Sequence, residues 1–191
     1  HGKSPADPEY DRLWSMMNEA RVNLTYHVGE ATYFHGHMRE WGEVPLSPRL
    51  QQTAWMWMNA YSERPIVETL SSIIFYNFFK RFPNIKVMSA ENGSEWVPAM
   101  LTKMDKCRGI AKNGYWPCGQ LPERPSRIFK ENVFVVAYPE DDIKGIIEQT
   151  GSSQYLVMGS DYPHSEGAET PGHFYTEALT EVAQADARAI M

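Results

Sequence analysis

The chain has 191 residues, 42% of them hydrophobic and 22% charged, enough for one well-buried domain but too few for two comfortable ones, and too many for a small stapled module. Lys and Arg number 18 against 24 Asp and Glu, and a formal charge of -6 repels a phosphate backbone, which argues against nucleic-acid binding. The most apolar stretch, Leu70 to Phe79, is interrupted by Ser71, Ser72, Tyr76 and Asn77 and is too short to span a bilayer; the first residues carry no apolar core like that of a secretory signal.

Asp7-Pro8 reads as a helix start, because Asp caps free amides and Pro, lacking an N–H, fits the first helical position; the helix is expected to run to about Ala20. Val22 to His27 has strand character and is followed by Gly29 and a long loop through Pro48. His35-Gly36-His37 falls in that loop, where nothing regular aims two imidazoles at one point, so the pair is assigned to the surface rather than to a metal. Trp55, Trp57 and Tyr61 suit helix packing.

From Pro65 to Phe82, Ile66, Leu70, Ile73, Ile74 and Phe78 recur at spacings of three and four, the pattern of one amphipathic helix. Ile85 to Ala90 is the second strand. Ser94 can cap a helix carrying Val97, Met100, Leu101 and Met104, with Lys103-Met104-Asp105-Lys106 as a solvated face. Val133 to Tyr138 is the third strand, Ile143 to Gln149 a helix, and Tyr155 to Gly159 the fourth strand. Ser160 to His164 is a loop, since Pro163 breaks a ladder, and a last helix is expected near Ala178. Cys107 and Cys118 form no CxxC pair, which argues against a structural zinc site and favours reduced thiols in a cytoplasmic setting.

Four strand-then-helix units in succession imply a parallel α/β sheet, because each helix has to return the chain across it. A closed eight-stranded barrel needs about 250 residues, so four units correspond to half a barrel or to a small open sheet. In such folds chemistry collects beyond the carboxyl ends of the strands. The expected ends are His27, Glu91, Tyr138-Pro139-Glu140 and Asp161. By strand parity, Asn23, Thr25 and His27 share a face, as do Val87, Ser89 and Glu91, and Val157, Gly159 and Asp161. His27, Glu91 and Asp161 would then converge on one cavity above the small residues Thr25, Ser89 and Gly159. Imidazole plus carboxylate suits a divalent ion such as zinc, although a catalytic zinc usually takes about three protein ligands; Glu91 completes the set or others lie elsewhere.

At Leu156-Val157-Met158-Gly159-Ser160-Asp161-Tyr162-Pro163-His164 the chain resembles the amidohydrolase-related family, often called amidohydrolase 2, of metal-dependent TIM-barrel enzymes. Further pieces follow in the family's order: Tyr26-His27-Val28-Gly29, the run from Arg81 to Val87 leading to Glu91-Asn92-Gly93, and Tyr138-Pro139-Glu140-Asp141-Asp142. The resemblance covers nearly all of the chain and implies the second half of a family barrel, strands five to eight, in one partial domain over residues 1–191. It makes His27 the fifth-strand metal ligand and Asp161 the eighth-strand aspartate that approaches the metal and handles protons.

The resemblance further implies a divalent ion, zinc first and manganese second, and a small-molecule substrate. The implied partner is the missing first half of the barrel or a second copy of the chain. The family's first-strand His-x-His pair has no counterpart here, and Glu91 stands where decarboxylase-like members often have a histidine. A carboxylate there repels an anionic substrate, which favours a hydrolase over a non-oxidative decarboxylase of aromatic or unsaturated acids. In the hydrolase expectation Asp161 and Glu91 are catalytic, His164 and Tyr162 lie over the substrate, and Trp96 lines the pocket. An alternative from another class is a non-catalytic half-barrel that pairs through its open edges.

Overall fold

Four parallel strands lie side by side in chain order in a computed structural model: β1 (Leu24–His27), β2 (Val87–Ala90), β3 (Val133–Val136) and β4 (Leu156–Val157). The structure describes residues 2–29, 32–43, 53–60, 62–164, 167, 170, 172 and 178–191. The register aligns Leu24 with Val87 and Val133, and Tyr26 with Ser89, Val135 and Leu156. Partners in a parallel ladder share a face, and this one is dry: Val87, Ser89, Val133 and Val135 are fully buried beneath helices. On the other face Thr25 and His27 are exposed, while Met88, Ala90, Phe134, Val136 and Val157 are half-buried. The expected parallel α/β architecture of successive strand–helix units is the one observed.

The amino-terminal turn begins as the sequence suggests. Asp7 accepts from the Glu9 amide at 3.0 Å, and Pro8 opens a 3₁₀ turn that passes into α1 (Asp11–Glu19). Trp14 anchors it: its indole N–H donates to the Pro5 carbonyl at 2.8 Å, and its ring meets Phe78 edge-on at 5.4 Å. Arg81 ties the same segment down by pairing with Asp11 and donating to the Ala6 carbonyl.

The helix expected from Pro65 to Phe82 is two helices, α4 (Arg64–Phe75) and α5 (Phe78–Arg81). Periodicity missed the break because Ile66, Leu70, Ile73, Ile74, Phe78 and Phe79 all reach the same core across it. The break is at Asn77, with φ 56° and ψ 34°, a left-handed conformation that Asn tolerates better than most residues. Its buried amide donates to the carbonyls of Cys118 and Gln120 at 3.2 and 3.3 Å, so the kink also holds the segment after the next helix.

Part of the expected loop from Gly29 to Pro48 is helical: α2 (Thr32–Glu40) carries the backbone of His35-Gly36-His37. The His37 ring lies 5.1 Å from Trp41 and 5.9 Å from Trp55, while the His35 side chain falls outside the described residues. Trp55 belongs to α3 (Ala54–Ala60) and packs on a small cluster of Met38 and Met56; Tyr61 also lies outside the description.

Three further expectations are corrected after β2. Helix α6 (Val97–Ile110) forms, but Ser94 does not cap it with its hydroxyl, which donates instead to Asp141. Asp105 on that helix is not merely solvated: its carboxylate accepts from the amide and hydroxyl of Ser126 at 2.9 and 2.8 Å, at the start of α7 (Pro125–Asn132), a helix the sequence reading passed over. Met104 beside it is core.

Asp142 caps α8 (Ile143–Thr150) through the Gly145 amide at 2.9 Å. The fourth strand is shorter than expected, and past it the Met158 amide donates to the carbonyl of Ile190 at the end of α9 (Gln184–Ile190). Ala178 is helical, but 179–181 form a turn, and the last helix starts at Gln184 rather than near Ala178. Cys107 and Cys118 are free, and no described helix is long and apolar enough to cross a membrane.

The kink yields a stability prediction. Asn77→Ala should cost about 2–3 kcal/mol, since it forfeits two hydrogen bonds of about 1 kcal/mol and keeps the left-handed strain. Asn77→Gly should cost about 1 kcal/mol less than Ala, because glycine has no Cβ penalty there. Urea unfolding of both variants measures the difference, and an alanine variant as stable as the glycine one would refute the assignment.

Candidate functional site

The cavity at the carboxyl ends of the strands, about 500 Å³, is lined by His27, Glu91, Tyr138, Glu140 and Asp161, above Met88 and Val136. Each group arrives there for a local reason. His27 ends β1 on the half-exposed face. Its Nδ1 lies 3.1 Å from the Val28 carbonyl, which only accepts, so Nδ1 carries a hydrogen; Nε2 then presents a lone pair if the ring is neutral and a second N–H if it is protonated. The Val28 amide continues the ladder to Ala90 at 3.1 Å and keeps the two strand ends together.

Glu91 reaches the cavity by a route that strand parity does not give. In the register, His27 pairs with Ala90, and Met88 shares that face, whereas Val87 and Ser89 point to the helices. The expected face of Val87, Ser89 and Glu91 is therefore corrected: Ala90, not Ser89, is the small residue on the cavity side. Glu91 comes into the cavity because its backbone turns left-handed, φ 56°, and breaks the alternation. Its Oε2 then lies 2.8 Å from His27 Nε2, although it makes no hydrogen bond of regular geometry among the described residues. A carboxylate oxygen and an imidazole lone pair at that separation are two acceptors face to face, which requires a proton or a cation between them.

Asp161 is the second acid with a left-handed backbone, φ 53°. Val157 pairs with Val136, a cavity residue, and past it Met158, Gly159, Ser160 and Asp161 all line the cavity, so alternation alone does not select Gly159 and Asp161 there. An added Cβ on Gly159 would fall 2.4 Å from Val136 Cγ1, so the fourth strand's end approaches the third too closely for any side chain. Gly167 packs against the Asp161 backbone in the same way, its virtual Cβ 2.6 Å from that carbonyl oxygen. The Asp161 carboxylate holds His164 Nδ1 at 3.0 and 3.2 Å, and the His164 amide closes a turn onto the Asp161 carbonyl at 2.9 Å.

Glu91, Asp161 and His164 each offer a donor atom, all within 4.8 Å of one another, and His27 Nε2 adjoins the Glu91 member. Two imidazoles and two carboxylates of this kind could hold a divalent cation, and the buried Glu91 oxygen facing a lone pair is the observation that fits one.

The other residues singled out from sequence are distributed differently. Tyr162 is 81% exposed and its amide lies 3.4 Å from Ser160 Oγ. Trp96 is not at the cavity wall: it is buried, meets Phe129 edge-on at 6.3 Å and donates to the carbonyls of Asn92 and Gly93 at 3.0 and 2.9 Å. Tyr138, expected only as part of the third strand's end, and Asp141, expected only within the acidic run after it, take specific places in the site. Tyr138 donates its hydroxyl to the Glu91 carbonyl at 2.7 Å; burial, then the nearby Glu91 charge, push its phenol up to about 12, so it remains a donor. The signal was the acidic run after the third strand, where a lone parity argument had no reason to separate Asp141 from its neighbours.

The amidohydrolase family model matches residues 1–191, and the chain belongs to that family. No curated protein sequence matches it. Among solved structures it is similar to an amidohydrolase from Mycobacterium avium subsp. paratuberculosis K-10, at 28% identity and a TM-score of 0.78, over 99% of this chain and 44% of that one. It is also similar to 5-carboxyvanillate decarboxylase from Sphingomonas paucimobilis, at 17% identity and a TM-score of 0.68, over 98% of this chain and 52% of that one. A third is a dihydroxybenzoic acid decarboxylase from Polaromonas sp. JS666 with bound manganese and the inhibitor 2-nitroresorcinol, at 14% identity and a TM-score of 0.65, over 98% and 52% of the two chains. The chain thus spans about half the length of these solved structures, and its four parallel strand–helix units are those of half a barrel.

The close approach at the cavity floor is testable. Gly159→Ala should destabilise by about 1–3 kcal/mol through overpacking against Val136, and Val136→Ala in the same chain should recover most of that loss. A double-mutant cycle by denaturant unfolding measures the coupling; strictly additive effects would contradict the contact.

Proposed function

From membership of the amidohydrolase family, we propose that residues 1–191 form a single partial domain, strands five to eight of a TIM-type barrel, in a metal-dependent hydrolase of a small organic substrate. The observation that carries the proposal is the Glu91 carboxylate 2.8 Å from His27 Nε2, a pair that either a proton or a cation between them satisfies, beside the donor atoms of Asp161 and His164. His27 and Asp161 are the proposed metal ligands, with Glu91 between them, and zinc is preferred to manganese because imidazole and carboxylate donors suit it. Held by these residues, a divalent ion would lower the pKa of water to about 7 and polarise a substrate oxygen.

The chain's own residues do the rest. Asp161 accepts a proton from the attacking water at a carboxylate oxygen and returns it to the leaving group. His164, hydrogen-bonded to that carboxylate, orients it and with Tyr162 stands over the entrance. Glu91 orients the water, its backbone held by the Tyr138 hydroxyl. His27 keeps one tautomer because Val28 occupies its other nitrogen.

Decarboxylation is the second reading, favoured by the decarboxylases among the similar solved structures, one of them holding manganese. Three carboxylates at the cavity, Glu91, Glu140 and Asp161, tell against it, since they disfavour an anionic aromatic acid and suit a neutral amide, ester or lactone. Two free thiols accord with a cytoplasmic setting.

Elemental analysis and product analysis of the purified protein test the proposal together. Stoichiometric divalent metal is expected, lost in His27→Ala, and Asp161→Asn should lower kcat about 10²–10⁴-fold for a substrate cleaved with uptake of water. Metal that survives His27→Ala overturns the ligand assignment, release of carbon dioxide from an aromatic acid overturns the hydrolase in favour of the decarboxylase, and protein that takes up no metal supports a non-catalytic half-barrel.

A further inference from the structure

Glutamate in a left-handed conformation is held against backbone strain, and what holds Glu91 there is a bonded brace between the β2 and β3 loops. One oxygen of Asp141, Oδ2, accepts three hydrogen bonds: from the Ser94 amide at 2.7 Å, the Ser94 hydroxyl at 2.8 Å and the Tyr138 amide at 2.9 Å. It therefore fastens the loop that follows Glu91 to the loop that carries Tyr138. The Tyr138 ring packs close against Gly93, whose φ is +61° and whose virtual Cβ would fall 2.7 Å from the ring's Cδ2, so only glycine lets the ring come so close. From that position its hydroxyl reaches the Glu91 carbonyl at 2.7 Å. On the other side Asn92 donates to the Ala90 carbonyl at 2.7 Å and Trp96 to the carbonyls of Asn92 and Gly93, so the turn is bonded along its length.

We propose that Tyr138 and Asp141 are positioning residues that lock Glu91 in its left-handed turn and thereby aim its carboxylate at His27. Neither acts on the reacting atoms; both act through Glu91. The proposal rests on the metal-site reading only for its effect on ion affinity, because the geometry it explains is present without the ion.

Tyr138→Phe is the test, since it keeps the ring on Gly93 and removes the one hydroxyl that reaches Glu91. Two readouts on the purified protein separate this proposal from the metal site. In a crystal structure of the variant, Glu91 should leave the left-handed region and its carboxylate should move out of hydrogen-bond range of His27 Nε2. In titrations with Zn²⁺ or Mn²⁺, the variant's dissociation constant should rise about 10–100-fold over the unsubstituted protein while the melting temperature of the metal-free protein changes little. Asp141→Asn, which leaves the Tyr138 hydroxyl in place but weakens its anchor, should give the same displacement and serves if Tyr138→Phe does not fold. A variant structure in which Glu91 stays left-handed and in contact with His27 overturns the proposal, as does a melting-temperature drop with unchanged Glu91 geometry. If the unsubstituted protein binds neither ion, the metal-site reading fails and the crystal structure alone decides the brace.

Discussion

An imidazole nitrogen and a carboxylate oxygen 2.8 Å apart, with the imidazole's only other nitrogen committed to a backbone carbonyl, form the constraint around which this end of the sheet is organised. Without a positive charge between them, the two lone pairs repel, and the Glu91 oxygen is largely withdrawn from water that could otherwise screen it. Proteins keep such an arrangement at sites where a proton or an ion belongs. Asp161 and His164 crowd the same region, so the charge the pair calls for has further donors within reach.

The sheet makes this arrangement possible by treating its two faces differently. Val87, Val133, Val135 and Leu156 press against helices and exclude water, which fixes the register of all four strands. With the register fixed, the strand ends of β1, β2 and β4 are carried to one rim, and the opposite face has no choice but to present His27 and the small residues Ala90 and Gly159 there. Gly159 matters most among these, since any larger residue would collide with Val136. Two acids then leave extended geometry at the rim, and both adopt the left-handed conformation that non-glycine residues rarely take.

Much of this was legible in the sequence, and what was not has identifiable physical causes. Strand–helix alternation gives the parallel sheet, and parity on β1 puts His27 on the cavity side because that strand runs to its end there, whereas β4 stops at Val157 and Met158 to Asp161 all line the cavity. Parity failed on β2, where the face of Ser89 is the helix face and Glu91 returns by a backbone turn that no alternation rule encodes. Periodicity likewise joined α4 to α5 across Asn77, since a left-handed residue changes direction while the apolar residues on either side still meet one core. Trp96, expected to line the pocket, instead donates its N–H to carbonyls of the 92–93 turn and packs its ring on Phe129. Tyr138 and Asp141 act through backbone amides and carbonyls, contacts that leave no trace in residue order.

Anomalous diffraction from crystals of the protein equilibrated with Zn²⁺ or Mn²⁺ tests the central claim most directly. The account predicts one strong peak at the strand-end rim, about 2.0–2.2 Å from His27 Nε2 and from a carboxylate oxygen of Asp161. No peak there at saturating ion, or a peak whose ligands include neither His27 nor Asp161, would contradict it.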